Sequence, residues 1–140
     1  MKKRNGVILA VIGYIFFFFC MEGWGANWKL IGIDAKDSVW EIDTASISRQ
    51  PNNIVRVWVK TTYSKKSINE FVKNFGKEFK DLSYCTRLNE YHCTEKKNRT
   101  LSINWYSLGG CVMYSVESPT EWEFVIPGSM GEDNLKAVCK

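Results

Sequence analysis

The strict alternation in residues 54–63 constrains the fold more than any other feature of this sequence. Large apolar side chains occupy one set of alternate positions, namely Val55, Val57, Val59 and Tyr63. The other set carries Arg56, Trp58 and Lys60. A period of two residues is the period of a β-strand. The segment therefore predicts a strand with one buried face and one face on which two cations flank a tryptophan.

The N-terminus has the pattern of an export signal. Three cations at positions 2–4 precede an uncharged, almost wholly apolar run of 16 residues, 6–21. This arrangement is typical of a secretory signal peptide. The small residues Gly23 and Gly25 stand at positions −3 and −1 of a cleavage site after Gly25, which favours cleavage there. We therefore predict a signal peptide over residues 1–25 and one domain over residues 26–140.

Two alternatives remain open at this end of the chain. A run of 16 residues lies between the roughly 7–15 of a signal and the roughly 20 of a membrane span, so an uncleaved anchor would give the protein its one membrane contact. Cys20 raises the alternative of lipid attachment, although Phe18 and Phe19 stand where that chemistry needs a small residue. We expect cleaved export to the periplasm or the outer cell surface of a bacterium.

Charge and composition exclude two classes of protein. The 19 Lys and Arg residues against 15 Asp and Glu give a net charge of +4. Removal of the predicted signal peptide lowers this to +2, and phosphate binding requires a concentrated cationic face. No nucleic-acid partner is therefore expected. A hydrophobic content of 45% excludes a disordered chain.

The remaining segments predict an α+β fold with an antiparallel sheet of about six strands. Further strands are predicted at residues 28–33, 39–43, 82–93, 99–107 and 111–117, with a short extended piece at 122–125. Phenylalanines at helical spacing predict a mid-chain helix over residues 67–80 that opens on a capping box at Ser67. A second capping box, at Ser129, predicts a C-terminal helix that ends at Cys139.

Four cysteines lie beyond the predicted signal peptide, which favours two disulfides in an oxidising compartment, with three possible pairings. Our preferred pairing joins Cys93 to Cys139, because a short terminal helix is marginal alone and this bond would tie it to the sheet. In the predicted hairpin, Cys85 lies close to Leu108 and the turn before Cys111. We therefore predict Cys85–Cys111 as the second disulfide.

No constellation for catalysis or metal binding is evident. His92 is the only histidine, and it stands in a predicted strand beside Cys93, so we predict a structural role for it. The chain contains no C-x-x-C pair, phosphate loop or dinucleotide-binding glycine pattern. We therefore predict no enzyme, no cofactor and no metal.

Aromatic side chains are the remaining feature with functional content. The chain carries six tryptophans and six tyrosines, and protein interfaces favour Trp, Tyr and Arg. Most of these rings are expected to exclude water from the covered face of the sheet. The residues predicted to be exposed binding anchors are Arg56, Trp58, Lys60, Tyr91 and Tyr106.

Four segments along the chain form an ordered set of motifs. They are the opening strand at 28–31, the aromatic-x-Ile-Asp-x-x-Ser-Ile segment at 40–47, the strand at 55–60, and Trp122-Glu123-x-x-Ile126-Pro127-Gly128-Ser129 followed by Cys139. Together they resemble the surface-adhesin protein E-like family of bacterial exported domains. The resemblance covers most of residues 27–139. It implies a sheet of about six antiparallel strands, a C-terminal helix tied to it by a disulfide, and adhesion to extracellular proteins of a host.

These observations predict an exported, non-catalytic binding module that contacts protein ligands at the cell envelope, the cell surface or the extracellular matrix. The alternative is a soluble periplasmic module that carries a small ligand or inhibits an envelope enzyme. A membrane contact is expected only through the signal segment, if it is not cleaved.

Overall fold

An antiparallel sheet of eight strands forms most of the molecule. The computed structural model describes residues 25–140, so the predicted signal peptide lies outside the described residues except for Gly25. The strands are β1 (Trp28–Ile33), β2 (Val39–Asp43), β3 (Ser48–Gln50), β4 (Ile54–Thr62), β5 (Leu82–His92), β6 (Lys97–Ser107), β7 (Val112–Val116) and β8 (Glu123–Phe124). Six of them lie side by side in the order β1-β2-β4-β5-β6-β7, while β3 pairs with β4 and β8 pairs with β6.

The predicted count of about six strands is wrong by the two short strands β3 and β8. β3 follows a 3-10 turn at Thr44–Ser46 and pairs with residues 54–56 of β4. Its three residues, Ser48–Gln50, are all polar and show no alternation. β8 has two residues and pairs with Lys97 and Asn98. A strand as short as β3 is held by backbone pairing alone, so no hydrophobic pattern marks it. β8 lies within the extended piece that the sequence predicts at 122–125.

The central hairpin turns earlier than the sequence predicts. Residues 93–96 form the turn and Lys96 adopts a positive φ of 53°, so β6 begins at Lys97 rather than at Arg99. In the resulting register, Cys85 lies opposite Trp105. This register decides which side chains share a face of the sheet.

The first helix, α1 (Lys65–Phe75), follows β4 and is shorter than the predicted 67–80. Its N-cap is Ser64, whose hydroxyl accepts a hydrogen bond from the Ser67 N–H at 3.1 Å, so the predicted capping box at Ser67 is wrong. The helix ends at Gly76, where φ is 121°, a conformation that favours glycine. A 3-10 turn, Lys77–Asp81, then leads into β5.

The C-terminal helix, α2 (Met130–Val138), begins after the predicted cap, Ser129, whose hydroxyl accepts from the Glu132 N–H. Leu135 and Val138 are buried in the same hydrophobic cluster as the valines of β4. The predicted Cys93–Cys139 disulfide is confirmed, with a Cα–Cα distance of 5.6 Å. It joins the end of the helix to the turn after β5.

The hydrophobic core lies on one side of the sheet only, beneath the two helices. We call this side the helix face; on the central strands it consists of Val55, Val57, Val59, Thr61, Cys85, Arg87, Asn89 and Tyr91. α2 covers its middle, and α1 covers one end through the contact of Phe71 with Tyr63, whose ring centroids lie 5.5 Å apart. Within residues 25–140, neither helix has the length and apolar character needed to cross a membrane.

Candidate protein-binding surface

The side of the sheet opposite the helices carries the aromatic and charged residues. We call it the open face; it consists of Trp28, Glu41, Arg56, Trp58, Lys60, Tyr84, Leu88, Glu90, Arg99, Ser102 and Tyr106. Side chains alternate across a strand, so the residues of β4 that lie between the buried valines all point to this face. It is therefore the predicted wet face of the strand at 54–63.

A buried carboxylate organises one end of the open face. Glu90 has a side chain that is only 4% exposed, and it lies between two arginines. Arg56 donates from Nε and Nη2 to Glu90 Oε1, at 3.1 and 2.7 Å. Arg99 donates from Nε to Oε2 at 2.7 Å, and its Nη2 lies at the same distance from that oxygen. The three side chains carry a net charge of +1 in one fixed arrangement.

The two arginines keep Glu90 ionised. Burial raises the pKa of this carboxyl, but the hydrogen bonds and positive charges of Arg56 and Arg99 outweigh burial and hold the pKa below its ordinary value. Hydrogen bonds to a charged group are stronger than neutral ones. The carboxylate in turn fixes both guanidinium groups, which leaves their outer edges pre-oriented toward solvent.

Trp122 extends this arginine cluster beyond the strands. The Arg99 guanidinium carbon lies 4.6 Å from the centroid of the Trp122 ring. The His92 ring contacts the Trp122 ring edge-on, with centroids 6.0 Å apart. The segment that carries the tryptophan is held to β6 by the bond from the Thr120 N–H to the Thr100 carbonyl, at 2.9 Å. A loop residue thus joins the sheet surface.

A second cluster lies at the other end of the open face, around Lys60. Its ammonium group pairs with Glu41 at 3.1 Å and lies 4.8 Å from the centroid of the Trp28 ring. Tyr84 and Tyr106, which are opposite each other in β5 and β6, stack with centroids 4.6 Å apart and planes 10° apart. Cation–π contacts and stacking order these rings.

Trp58 lies between the two clusters. It is a half-buried residue of β4 opposite Leu88, two residues from Arg56 and two from Lys60. At about 3.4 Å per residue, these cations are about 14 Å apart along the strand. The open face therefore places a tryptophan at its centre and an ion-paired cation on each side.

The structure gathers four of the five predicted anchors, Arg56, Trp58, Lys60 and Tyr106, on the open face. The prediction that Tyr91 is exposed is wrong: its side chain is fully buried on the helix face, opposite Val55. The ring packs in the core with Leu135, and Asn89 donates to its hydroxyl at 3.3 Å. It belongs to the scaffold.

Comparisons with known proteins identify the family of this chain. The sequence matches the family described as surface-adhesin protein E over residues 28–140. The chain belongs to this family. A solved structure similar to this adhesin-family domain is that of protein E from non-typeable Haemophilus influenzae, with 10% identity, a TM-score of 0.48 and coverage of 85% of this chain and 80% of that chain. A comparison with curated proteins found no match.

A β-bulge explains why sequence reasoning missed part of the adhesin-family surface. Between Leu88 and Asn89 the register with β6 skips Leu101, so that Thr100 lies opposite Asn89 and Arg99 opposite Glu90. A bulge reverses the face on which the following residues lie. Unbroken alternation would place the Arg99 side chain on the helix face, whereas the bulge brings it to the open face.

The predicted Cys85–Cys111 disulfide of the adhesin-family domain is wrong. Cys85 is a free thiol, fully buried on the helix face, and its sulfur accepts a hydrogen bond from the Tyr63 hydroxyl at 3.1 Å. The physical reason is the earlier hairpin turn, which places this residue opposite Trp105 rather than near Leu108.

His92 is engaged in local structure at the end of β5. Its Nδ1 accepts a hydrogen bond from the Glu95 N–H at 3.2 Å, and its ring contacts Trp122. Among residues 25–140, no three His, Cys, Asp or Glu side chains lie close enough together to hold a metal ion.

Proposed function

We propose that this domain is an exported, non-catalytic adhesive module that binds a protein ligand through its open face. The observation that carries the proposal is the arrangement of Arg56, Trp58 and Lys60 on a sheet surface that neither helix covers. Trp and Arg are the residues that dominate binding energy at protein interfaces. Family membership supports an adhesive role.

The dimensions of the open face fit a protein partner. Six strands at about 4.8 Å spacing are roughly 24 Å across, and the 11 residues of β5 extend roughly 36 Å. The outer strands β1, β2 and β7 are shorter than β5, so the face is somewhat smaller than the product of these lengths and comes close to the roughly 800 Å² that each partner contributes to a standard interface. A twisted sheet of this size offers a broad surface, which suits a protein ligand.

The charge pattern also favours a protein over a polyanion. Arg56 and Arg99 share the carboxylate of Glu90, and Lys60 pairs with Glu41. Phosphate backbones are bound by cations that are free to replace counterions, and here each cation already has an internal partner. Pre-oriented ion pairs instead set the register of a partner with its own mixed charges.

Export is part of the proposal. The basic positions 2–4 and the apolar run at 6–21 support a signal peptide that is removed after Gly25, with delivery to the periplasm or the outer surface. The intact mass of protein recovered from these two fractions tests this part. A chain that begins at Ala26 supports cleaved export, and a chain that retains Met1 contradicts it.

The binding role is tested with the double variant Arg56→Ala/Trp58→Ala on a biosensor coated with solubilised extracellular matrix. We expect the variant to bind at least 30-fold more weakly than the unmodified domain, because two central anchors of about 1–2 kcal/mol each are removed. Far-ultraviolet circular dichroism should still show a folded sheet, since Arg99 continues to pair with Glu90 and both substituted side chains lie outside the hydrophobic core.

The matched control is Lys73→Ala/Tyr114→Ala, which removes one cation and one aromatic ring elsewhere. Lys73 is exposed on α1, and Tyr114 is 59% exposed and pairs with Trp105 on the helix side of β6. This variant should bind like the unmodified domain. Equal binding by all three proteins would contradict the proposed surface.

A further inference from the structure

A cleft between α1 and the helix face forms a site separate from the open face. It has a volume of about 230 Å³ and opens to solvent beside Phe75, which is 61% exposed. Its walls combine aromatic rings with a few polar groups, chiefly Trp40, Thr61, Tyr63, Phe71, Phe75 and Arg87. A concave site with apolar walls and a few convergent polar groups is the usual form of a small-ligand site.

Arg87 is the polar centre of this cleft. It lies on the helix face of β5, its guanidinium carbon is 5.0 Å from the centroid of the Trp40 ring, and Nη1 donates to Thr61 Oγ1 at 3.3 Å. In the part of the chain that the structure describes, no carboxylate lies within ion-pair distance of it. The sheet arginines Arg56 and Arg99, by contrast, both pair with Glu90.

The two carboxylates that line the cleft are engaged by other groups. Asp34 accepts hydrogen bonds from the Trp40 indole N–H at 2.9 Å and from the backbone N–H groups of Lys36 and Ser38. Glu70 forms an ion pair with Lys36 at the mouth, where both side chains are about half exposed. Neither acid therefore neutralises Arg87, and the Lys36–Glu70 pair leaves the rim without net charge.

We infer that the cleft binds a small organic carboxylate that carries an apolar, aromatic-sized body. A planar guanidinium presents paired N–H donors that match a carboxylate, and the Arg87 group is held in place by Trp40 and Thr61. The apolar body packs against Phe71 and Phe75. A volume of about 230 Å³ is below the roughly 300 Å³ at which sites for drug-sized ligands begin, so the ligand is small.

This site is independent of the proposed adhesive role, because it lies on the opposite side of the sheet and shares none of the open-face residues. Its ligand would occupy the domain whether or not a protein is bound to Trp58. Failure of one proposal therefore leaves the other intact.

The test is a titration of the oxidised domain with phenylacetate, followed by ¹H–¹⁵N NMR. We expect saturable shifts at the Trp40 indole N–H and at the amides of Thr61 and Arg87. Phenylacetamide, which has the same body without the charge, should bind at least tenfold more weakly. Inorganic phosphate should also bind at least tenfold more weakly, because it has no apolar body.

Two variants locate the site. Arg87→Met removes the charge and keeps an apolar stem, and we expect at least a tenfold loss of phenylacetate affinity. Arg49→Met, an exposed arginine on β3 that donates to the Lys140 carbonyl, is the matched control and should bind normally. Phe75→Ala, at a position that is largely exposed, should weaken binding of phenylacetate and leave the fold unchanged.

Three results would overturn the inference. They are the absence of saturable shifts at the cleft, equal binding of phenylacetate and phenylacetamide by the unmodified domain, and phosphate binding as strong as that of phenylacetate. The last would show an anion site without selectivity for an organic acid. None of these results depends on Arg87→Met being folded.

Discussion

At the residue scale, Glu90 is the side chain on which the open face depends. It is buried, charged and bonded to two arginines that come from different strands. Removal of one partner from a buried ion pair leaves uncompensated charge, which is costly. Glu90 therefore contributes to stability and also fixes the orientation of Arg56 and Arg99.

We predict that Glu90→Gln lowers the free energy of unfolding by about 2 kcal/mol at pH 7, because charge-assisted hydrogen bonds contribute more than neutral ones. Chemical denaturation measures this. Glu41→Gln is the matched control, since Glu41 forms a single ion pair, with Lys60, at a more exposed position. This substitution should lower the free energy of unfolding by about 1 kcal/mol or less. A Glu90→Gln effect no larger than that of the control would contradict the assigned role.

The same carboxylate predicts a pH dependence. Its pKa in the folded state lies below the ordinary value of 4.5, so the folded protein binds the proton less tightly than the unfolded chain. The stabilisation is fully present above pH 4.5 and is lost as the pH falls through the folded-state pKa. The difference in stability between the unmodified domain and Glu90→Gln should therefore shrink below pH 4.5. A difference that grows on acidification would contradict this.

The limits of sequence reasoning are clearest at this scale. Alternation identified Arg56, Trp58 and Lys60 as one face because β4 runs without interruption opposite β5. The place of Arg99 on the open face was not predicted, because the bulge at Leu101 inserts one residue and so exchanges the two faces of the strand beyond it. Such an insertion depends on pairing between strands, and the pattern of a single strand does not record it.

At the element scale, the two helices differ in how their ends are determined. Ser129 caps α2 as predicted, because it is followed by Glu132 at the spacing of a capping box. Ser64 and Ser67 both precede the apolar stripe of α1, and the structure uses the first as the cap. The periodicity of apolar residues was therefore enough to predict both helices. Which of two nearby serines caps α1 depends instead on where β4 ends.

The disulfide ties a nine-residue helix to the sheet. A helix of this length is marginal in isolation, and the Cys93–Cys139 bond spans 46 residues, which corresponds to about 4 kcal/mol of chain entropy. We predict that Cys139→Ser lowers the melting temperature by about 15 °C under oxidising conditions.

The control for the disulfide is that the effects of the two single cysteine substitutions should not add. Cys93→Ser alone and the double variant Cys93→Ser/Cys139→Ser should show the same loss as Cys139→Ser, because all three remove one bond. Differential scanning calorimetry distinguishes this from two independent cysteine effects. A melting temperature that is unchanged in Cys139→Ser would contradict the role assigned to the bond.

At the scale of the whole molecule, the sheet separates two tasks. Its helix face contains the core and the Arg87 cleft, and its open face carries the ion-paired aromatic surface. The sequence predicted the sheet and both helices, because these depend on periodicity. The Cys93–Cys139 bond was the preferred pairing because a short terminal helix needs a tie to the sheet. The register of the central hairpin places Tyr91 in the core and Cys85 opposite Trp105, and it is a property of the assembled sheet.

The central claim is that a protein ligand binds the open face, and tryptophan footprinting tests it most directly. The domain is oxidised with hydroxyl radicals while free and while bound to immobilised extracellular matrix, and each tryptophan is quantified by mass spectrometry. We predict that Trp28, Trp58 and Trp122 become protected on binding while Trp40 and Trp105 do not change. Protection of Trp40 and Trp105, with Trp58 oxidised as in the free domain, would contradict it.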